Sequence, residues 1–299
     1  MSTPKPTVIL VHGAWHSPEH FHPLETALNS HGYRTVSPWL PSVHYERLNV
    51  PPVSSILDDI AAIRQTVVSE LSAHPAADLV LLSHSYGTVV ASAAIEGLDR
   101  SSRARGGHRN GVIALLIIAG LLTSPGTSLL DWSGGQVPPT MLISTIPYPG
   151  DPSKGEIEIC TCVPDPGPVA LFYHDVAEQD PLAAQRYASL CTPQIWAVWA
   201  AKETPVPFAA WQAAAELDLD VFYLVTEDDR ALPPAFQRAM IDIADREIVA
   251  REEATRQPGD DGRRKTVHVT AIKSGHSPFL SRVGETAQWV RRCCGEIDV

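Results

Sequence analysis

Leu79-Val-Leu-Leu-Ser-His-Ser-Tyr-Gly-Thr-Val-Val90 is the stretch on which the fold turns. Its first four residues form an unbroken apolar run, helical periodicity starts at Thr88, and only residues 83–87 separate the two patterns. A strand that passes so abruptly into a helix needs small residues at the crossing, and Ser83 and Gly87 stand two positions before and after Ser85. Ser85 is thereby expected at the apex of a strained turn. The helix N-terminus beneath it offers backbone N–H groups and the positive end of a dipole to a developing anion. The segment reads as a strand, a serine nucleophile and a helix.

Similar short runs, rich in β-branched residues and without polar alternation, lie at 7–11, 34–37, 112–119, 221–226 and 267–272. Continuous apolarity is what strands covered on both faces require. Helix-period stretches at 24–30, 54–71, 88–98, 234–243 and 285–293 fall between or after them. The alternation predicts an α/β fold with a doubly wound, mostly parallel sheet. About a hundred residues without a core-strand pattern interrupt it after Gly120, too many for a simple crossover. We therefore expect a core domain formed by residues 1–122 and 218–299, with residues 123–217 inserted as a mainly helical cap that includes helices at 168–178 and 181–190. The polar stretch 252–265 reads as a surface loop.

A serine nucleophile needs a base and an acid that orients it. His276 follows the last predicted strand in Lys273-Ser-Gly-His-Ser-Pro-Phe279, where such a base belongs. Glu227, Asp228 and Asp229 follow the penultimate strand. Asp229 is preferred because Asp229-Arg-Ala-Leu-Pro233 makes a turn into a helix; Asp228 is the main competitor, and Asp131, after the preceding strand, is a third candidate. His84, His174 and His268 are poorer bases by position. His12, His16, His20 and His22 crowd into eleven residues, yet the stretch leaves a strand and passes Gly13 and Pro18, so no continuous helix presents them to a metal.

The chain order Ser85, Asp229, His276 is that of α/β-hydrolases. The His12-Gly-Ala-Trp15 loop, the turn at Ser85, TEDDRALPPAFQRAM (226–240) and SGHSPFL (274–280) together resemble the plant esterase and hydroxynitrile lyase group and its microbial serine-hydrolase relatives. The resemblance covers nearly the whole chain and is weakest in the cap. It implies an oxyanion hole made by the backbone amides of Ala14 and Tyr86. Hydroxynitrile lyases of that group carry a lysine after the triad histidine and a threonine in the oxyanion loop. Ser277 and Gly13 stand at those positions here, which disfavours cyanohydrin cleavage. Cleavage of an ester, thioester or lactone through an acyl-enzyme is the expected reaction. C–C bond hydrolysis, a lyase or a cyclase on the same triad is the alternative, and a small-molecule receptor with little turnover is the alternative of another class. Trp15, His16, Trp132 and Phe172 are the candidate substrate contacts, among cap aromatics that also include Tyr148, Tyr173, Trp196, Trp199 and Trp211.

A net charge of -11, from 34 acidic and 23 basic residues in 299, argues against a polyanion-binding surface. The short basic clusters at 100–109 and 263–265 read as solvated loops. Five cysteines, Cys160, Cys162, Cys191, Cys293 and Cys294, form neither a disulfide framework nor a zinc spacing. With no charged-then-apolar organisation over residues 1–7, a cytoplasmic protein is expected. The run 112–122 is too short to span a bilayer. No GxGxxG or GxxxxGK[ST] pattern calls for a nucleotide. A small-molecule substrate is the expected partner, without nucleic acid, membrane, metal or cofactor; homodimerisation is left open.

Overall fold

Thr7-Val-Ile-Leu-Val11 sends Val8 and Leu10 to one side and Ile9 and Val11 to the other, and each pair joins a different hydrophobic cluster. The same division recurs at Leu79 and Leu81 against Val80 and Leu82, and at Leu115 and Ile117 against Leu116 and Ile118. A sheet with a core on each face explains why these runs lack polar alternation. Each fully buried aliphatic side chain contributes about 1.5–3 kcal/mol relative to exposure. A computed structural model describes residues 4–255 and 266–296.

Six strands, β1 (Thr7–Val11), β2 (Thr35–Val36), β3 (Leu79–His84), β4 (Val112–Ile118), β8 (Asp220–Thr226) and β9 (His268–Ile272), form a sheet in the order β2-β1-β3-β4-β8-β9. All its pairings are parallel. Between β4 and β8 lies a second sheet, β5 (Met141–Pro147), β6 (Glu156–Cys162) and β7 (Gln194–Ile195), which is antiparallel.

Every strand expected from the apolar runs is present in the parallel sheet. The intervening residues are less helical than expected. They hold the antiparallel sheet together with short helices, among them Gly167–Phe172, His174–Ala177, Pro181–Ser189 and Ala197–Ala200. The expected helix at 168–178 is broken at Tyr173, whose φ of -135° leaves the helical region. Two further differences are helical. Residues Arg100–Arg105 form a short helix capped by the Asp99 carboxylate, which accepts from the Ser102 amide, where a loop was expected. The helix starting at Pro234 runs to Thr255 and takes in the start of the polar stretch. The rest of that stretch, with the 263–265 cluster, lies outside the described residues, as do residues 1–3.

Among the described residues, no helix is long and apolar enough to cross a membrane.

Candidate active site

Strand β3 ends at His84, and the helix Gly87–Ala94 begins three residues later. Ser85 takes up the reversal with φ of 53°, a left-handed conformation that costs a non-glycine residue about 1–2 kcal/mol. The turn is held from outside: the Ser85 amide donates to Ile118 O at 3.2 Å, and Ser85 O accepts from the Leu121 amide at 3.3 Å. A Cβ on Gly87 would lie 2.4 Å from His12 O and 2.6 Å from Val11 O. Only glycine lets the helix approach the end of β1 so closely. At Gly13 an added Cβ would stand 3.0 Å from Ser85 Cβ, so the loop after β1 runs directly past Ser85.

Asp229 follows β8 and is buried; both its oxygens are saturated. Oδ1 accepts from the amides of Ala231 and Leu232 at 2.8 Å each, and Oδ2 accepts from Thr226 Oγ1 at 2.8 Å and Gln237 Nε2 at 3.1 Å. The turn Asp229-Arg-Ala-Leu-Pro233 exists because the carboxylate caps it. Oδ2 also receives His276 Nδ1–H at 2.7 Å, in a pair withdrawn from solvent. His276 therefore presents Nε2 as the free basic nitrogen.

Asp228 turns the other way. It is largely exposed and pairs with His174 at 3.1 Å. Asp131 is exposed as well, bound to Ser128 and 3.4 Å from Lys202. Asp229→Asn is expected to lower kcat on a p-nitrophenyl ester by about 10³- to 10⁴-fold, because the amide cannot hold the Nδ1–H tautomer. Asp228→Asn is expected to stay within about threefold of the parent, since its exposed carboxylate bonds His174 and not His276. The reverse order of effects would identify the wrong acid.

The neighbours of His276 come from three parts of the chain. His84 Nε2–H donates to the His276 carbonyl at 3.0 Å, and the two rings lie 4.5 Å apart. His84 thus props His276, a contact its sequence position does not reveal. Phe172 packs against His276, Trp15 and His16 at 5.6, 5.7 and 5.4 Å between ring centroids. Trp15, at φ of 63°, is stitched to the segment between β4 and β8 at both ends: its Nε1–H donates to Cys160 O at 3.0 Å, and its carbonyl accepts from the Thr192 amide at 2.9 Å. Three of the four aromatic candidates therefore cluster at Phe172, which itself packs on His276. Trp132 is elsewhere, edge-to-face on Phe236.

The clustered histidines are committed to the protein itself. His12 Nδ1–H donates to Gly13 O and its Nε2 accepts from the Leu40 amide. His16 Nδ1–H donates to Ala14 O at 2.7 Å while Nε2 accepts from Tyr173 OH at 2.9 Å. His20 accepts at Nδ1 from the Ser17 amide and donates from Nε2 to Tyr187 O. His22 is exposed beside Glu25. Burial pushes His12 down to about 3 and His20 to about 4, and holds His16 and His84 well below the ordinary imidazole range. These rings brace the loop after β1 as neutral groups.

A family model described as the alpha/beta hydrolase family matches residues 8–289. The chain belongs to that family. An alpha/beta hydrolase, nvfD, from Aspergillus novofumigatus (strain IBT 16806) is 26% identical over 296 residues, covering 98% of each chain. Among solved structures, polyneuridine aldehyde esterase superposes with a TM-score of 0.68 at 16% identity, over 97% of this chain and 99% of that one. A methylesterase from Arabidopsis superposes with a TM-score of 0.60 at 14% identity, over 96% and 98%. At such identities the likeness is one of fold, and it agrees with the resemblance of this hydrolase-family chain to the plant esterase group.

Proposed function

We propose that this protein is a serine hydrolase that cleaves a carboxylic ester, thioester or lactone of a small, mostly apolar substrate through an acyl-enzyme. The buried His276–Asp229 pair, with His276 against His84, the residue before the left-handed turn at Ser85, is the observation that carries the reading. His276 Nε2 takes the proton from Ser85 Oγ as the oxygen attacks the acyl carbon. The tetrahedral oxyanion is stabilised by the amides of Ala14 and Tyr86. Collapse of the intermediate expels the alcohol or thiol, which receives the proton from His276. Water then attacks the acyl-serine with the same base, releasing the acid and restoring Ser85. Both solved structures named above are esterases, which favours an oxygen ester. Trp15, His16 and Phe172 supply the apolar wall beside the reacting carbonyl. No step calls for a metal or a cofactor.

A fluorophosphonate probe is expected to label the folded protein at Ser85 and nowhere else, as read by peptide mass spectrometry. Folded protein that stays unlabelled would favour a receptor or a lyase that does not use Ser85 as nucleophile.

A further inference from the structure

Tyr86, the residue after the nucleophile, points its side chain away from the reacting centre into a buried polar circuit. Its hydroxyl donates to Asp59 Oδ2 at 2.7 Å. Ser42 donates to the same carboxylate twice, from its amide to Oδ1 at 2.8 Å and from its hydroxyl to Oδ2 at 2.6 Å. Gln194 Nε2 donates to Ser42 Oγ at 2.9 Å, and Trp199 Nε1 donates to Gln194 Oε1 at 2.9 Å. The Trp199 ring packs on the Tyr86 ring at 5.6 Å, which closes the loop. Asp59, Ser42, Tyr86 and Gln194 are each inaccessible to solvent.

We infer that Asp59 is a positioning residue for the oxyanion side of the active site: it holds Tyr86, and through it the backbone amide beside Ser85, in a closed ring tied to the segment between β4 and β8. The inference rests on the proposed role of the Tyr86 amide. A carboxylate only accepts hydrogen bonds, so it dictates the direction of every link. Tyr86 and Ser42 must both donate to it. Ser42 Oγ is then left to accept from Gln194, whose carbonyl oxygen faces Trp199. All the polarity runs one way into Asp59. Among the described residues no lysine or arginine pairs with this carboxylate, and burial pushes it up to about 6 against the pull of its three donors. A buried acid without a cation opposes folding unless its hydrogen bonds are all made. Here one of the three comes from the side chain of Tyr86, whose amide forms half of the proposed oxyanion hole. The link also runs between distant parts of the chain, since Asp59 lies on the helix Ile56–Ala73 and Gln194 on β7.

The test compares Tyr86→Phe, Asp59→Ala and Asp59→Asn with the parent. Readouts are kcat and KM on a p-nitrophenyl ester, the second-order rate of fluorophosphonate labelling at Ser85, and the thermal midpoint. Tyr86→Phe and Asp59→Ala are expected to lower kcat and the labelling rate by about 10- to 100-fold, with KM within about threefold, because a small displacement of an oxyanion donor is felt in the transition state. Asp59→Asn keeps the shape and one acceptor, and is expected to recover part of the loss. The double variant is expected to be no slower than Asp59→Ala, since both changes break one link. Variants that melt earlier but label and turn over at the parent rate would overturn the inference and leave the serine mechanism standing. A parent that fails to label would overturn both. Tyr86→Phe removes a single oxygen, so the comparison stands even if Asp59→Ala does not fold.

Discussion

Ser85→Ala is expected to lower kcat/KM for an ester substrate by about four to six orders of magnitude while leaving the chain folded. The loss is that large because Ser85 is the only atom source for the covalent step, and the His276–Asp229 pair has no other oxygen to activate in the mechanism proposed. It is not total, since the proposed oxyanion donors still favour attack by water. The fold is expected to persist because the turn depends on main-chain contacts: the amide and carbonyl of Ser85 bond to Ile118 and Leu121, and alanine keeps both. Alanine also bears the same left-handed strain as serine. Circular dichroism and the thermal midpoint check the fold, and steady-state kinetics checks the rate. Retention of most activity on a good substrate would rule out the acyl-enzyme.

The second large effect concerns acid. Lowering the pH from 7 to 5 is expected to destabilise the fold by several kcal/mol, enough to bring much of the population near its unfolding transition. His12 and His20 are neutral in the native state down to about 3 and 4, whereas in the unfolded chain they take up protons near 6.5. The unfolded state then binds more protons below pH 6.5, so stability falls as the pH falls through that value. At pH 5 each contributes about 2 kcal/mol of loss, and His16 and His84 act in the same direction. Asp59 opposes them. Its carboxyl is raised to about 6, so its burial penalty is relieved as the pH drops from 6 towards 4, returning about 1 kcal/mol by pH 5. The histidines outweigh it, against a typical total stability of about 5–15 kcal/mol. Urea unfolding at pH 7 and pH 5 reads the difference directly. Equal midpoints at the two values would mean that these rings are not held neutral.

The parallel sheet was legible because burial on two faces writes itself into sequence as unbroken apolar runs; 8–11 and 79–82 are examples. The placement of Ser85 at the strand-to-helix turn and of His276 after the last strand was legible because apolar runs mark where strands end. The carboxylate that bonds His276 was less so. Asp228 and Asp229 are adjacent, and sequence can separate them only through the turn that follows, where the Ala231 and Leu232 amides bind Asp229. Strands β5 and β6 went unseen between proline-rich stretches, although Glu156-Ile-Glu-Ile159 alternates as a half-exposed strand should. Asp59 and the prop at His84 left no trace, because single contacts between residues 17 to 192 positions apart have no period to detect.

Trp15 is anchored by the carbonyl of Cys160 and the amide of Thr192, both main-chain groups. Such anchors are indifferent to which side chains the covering segment carries. Side chains there other than Tyr173, Gln194 and Trp199, which bond to His16 or enter the Asp59 circuit, can be exchanged without breaking these anchors. The chain is in this respect evolvable: most of the segment between β4 and β8 can vary while Trp15 keeps its place.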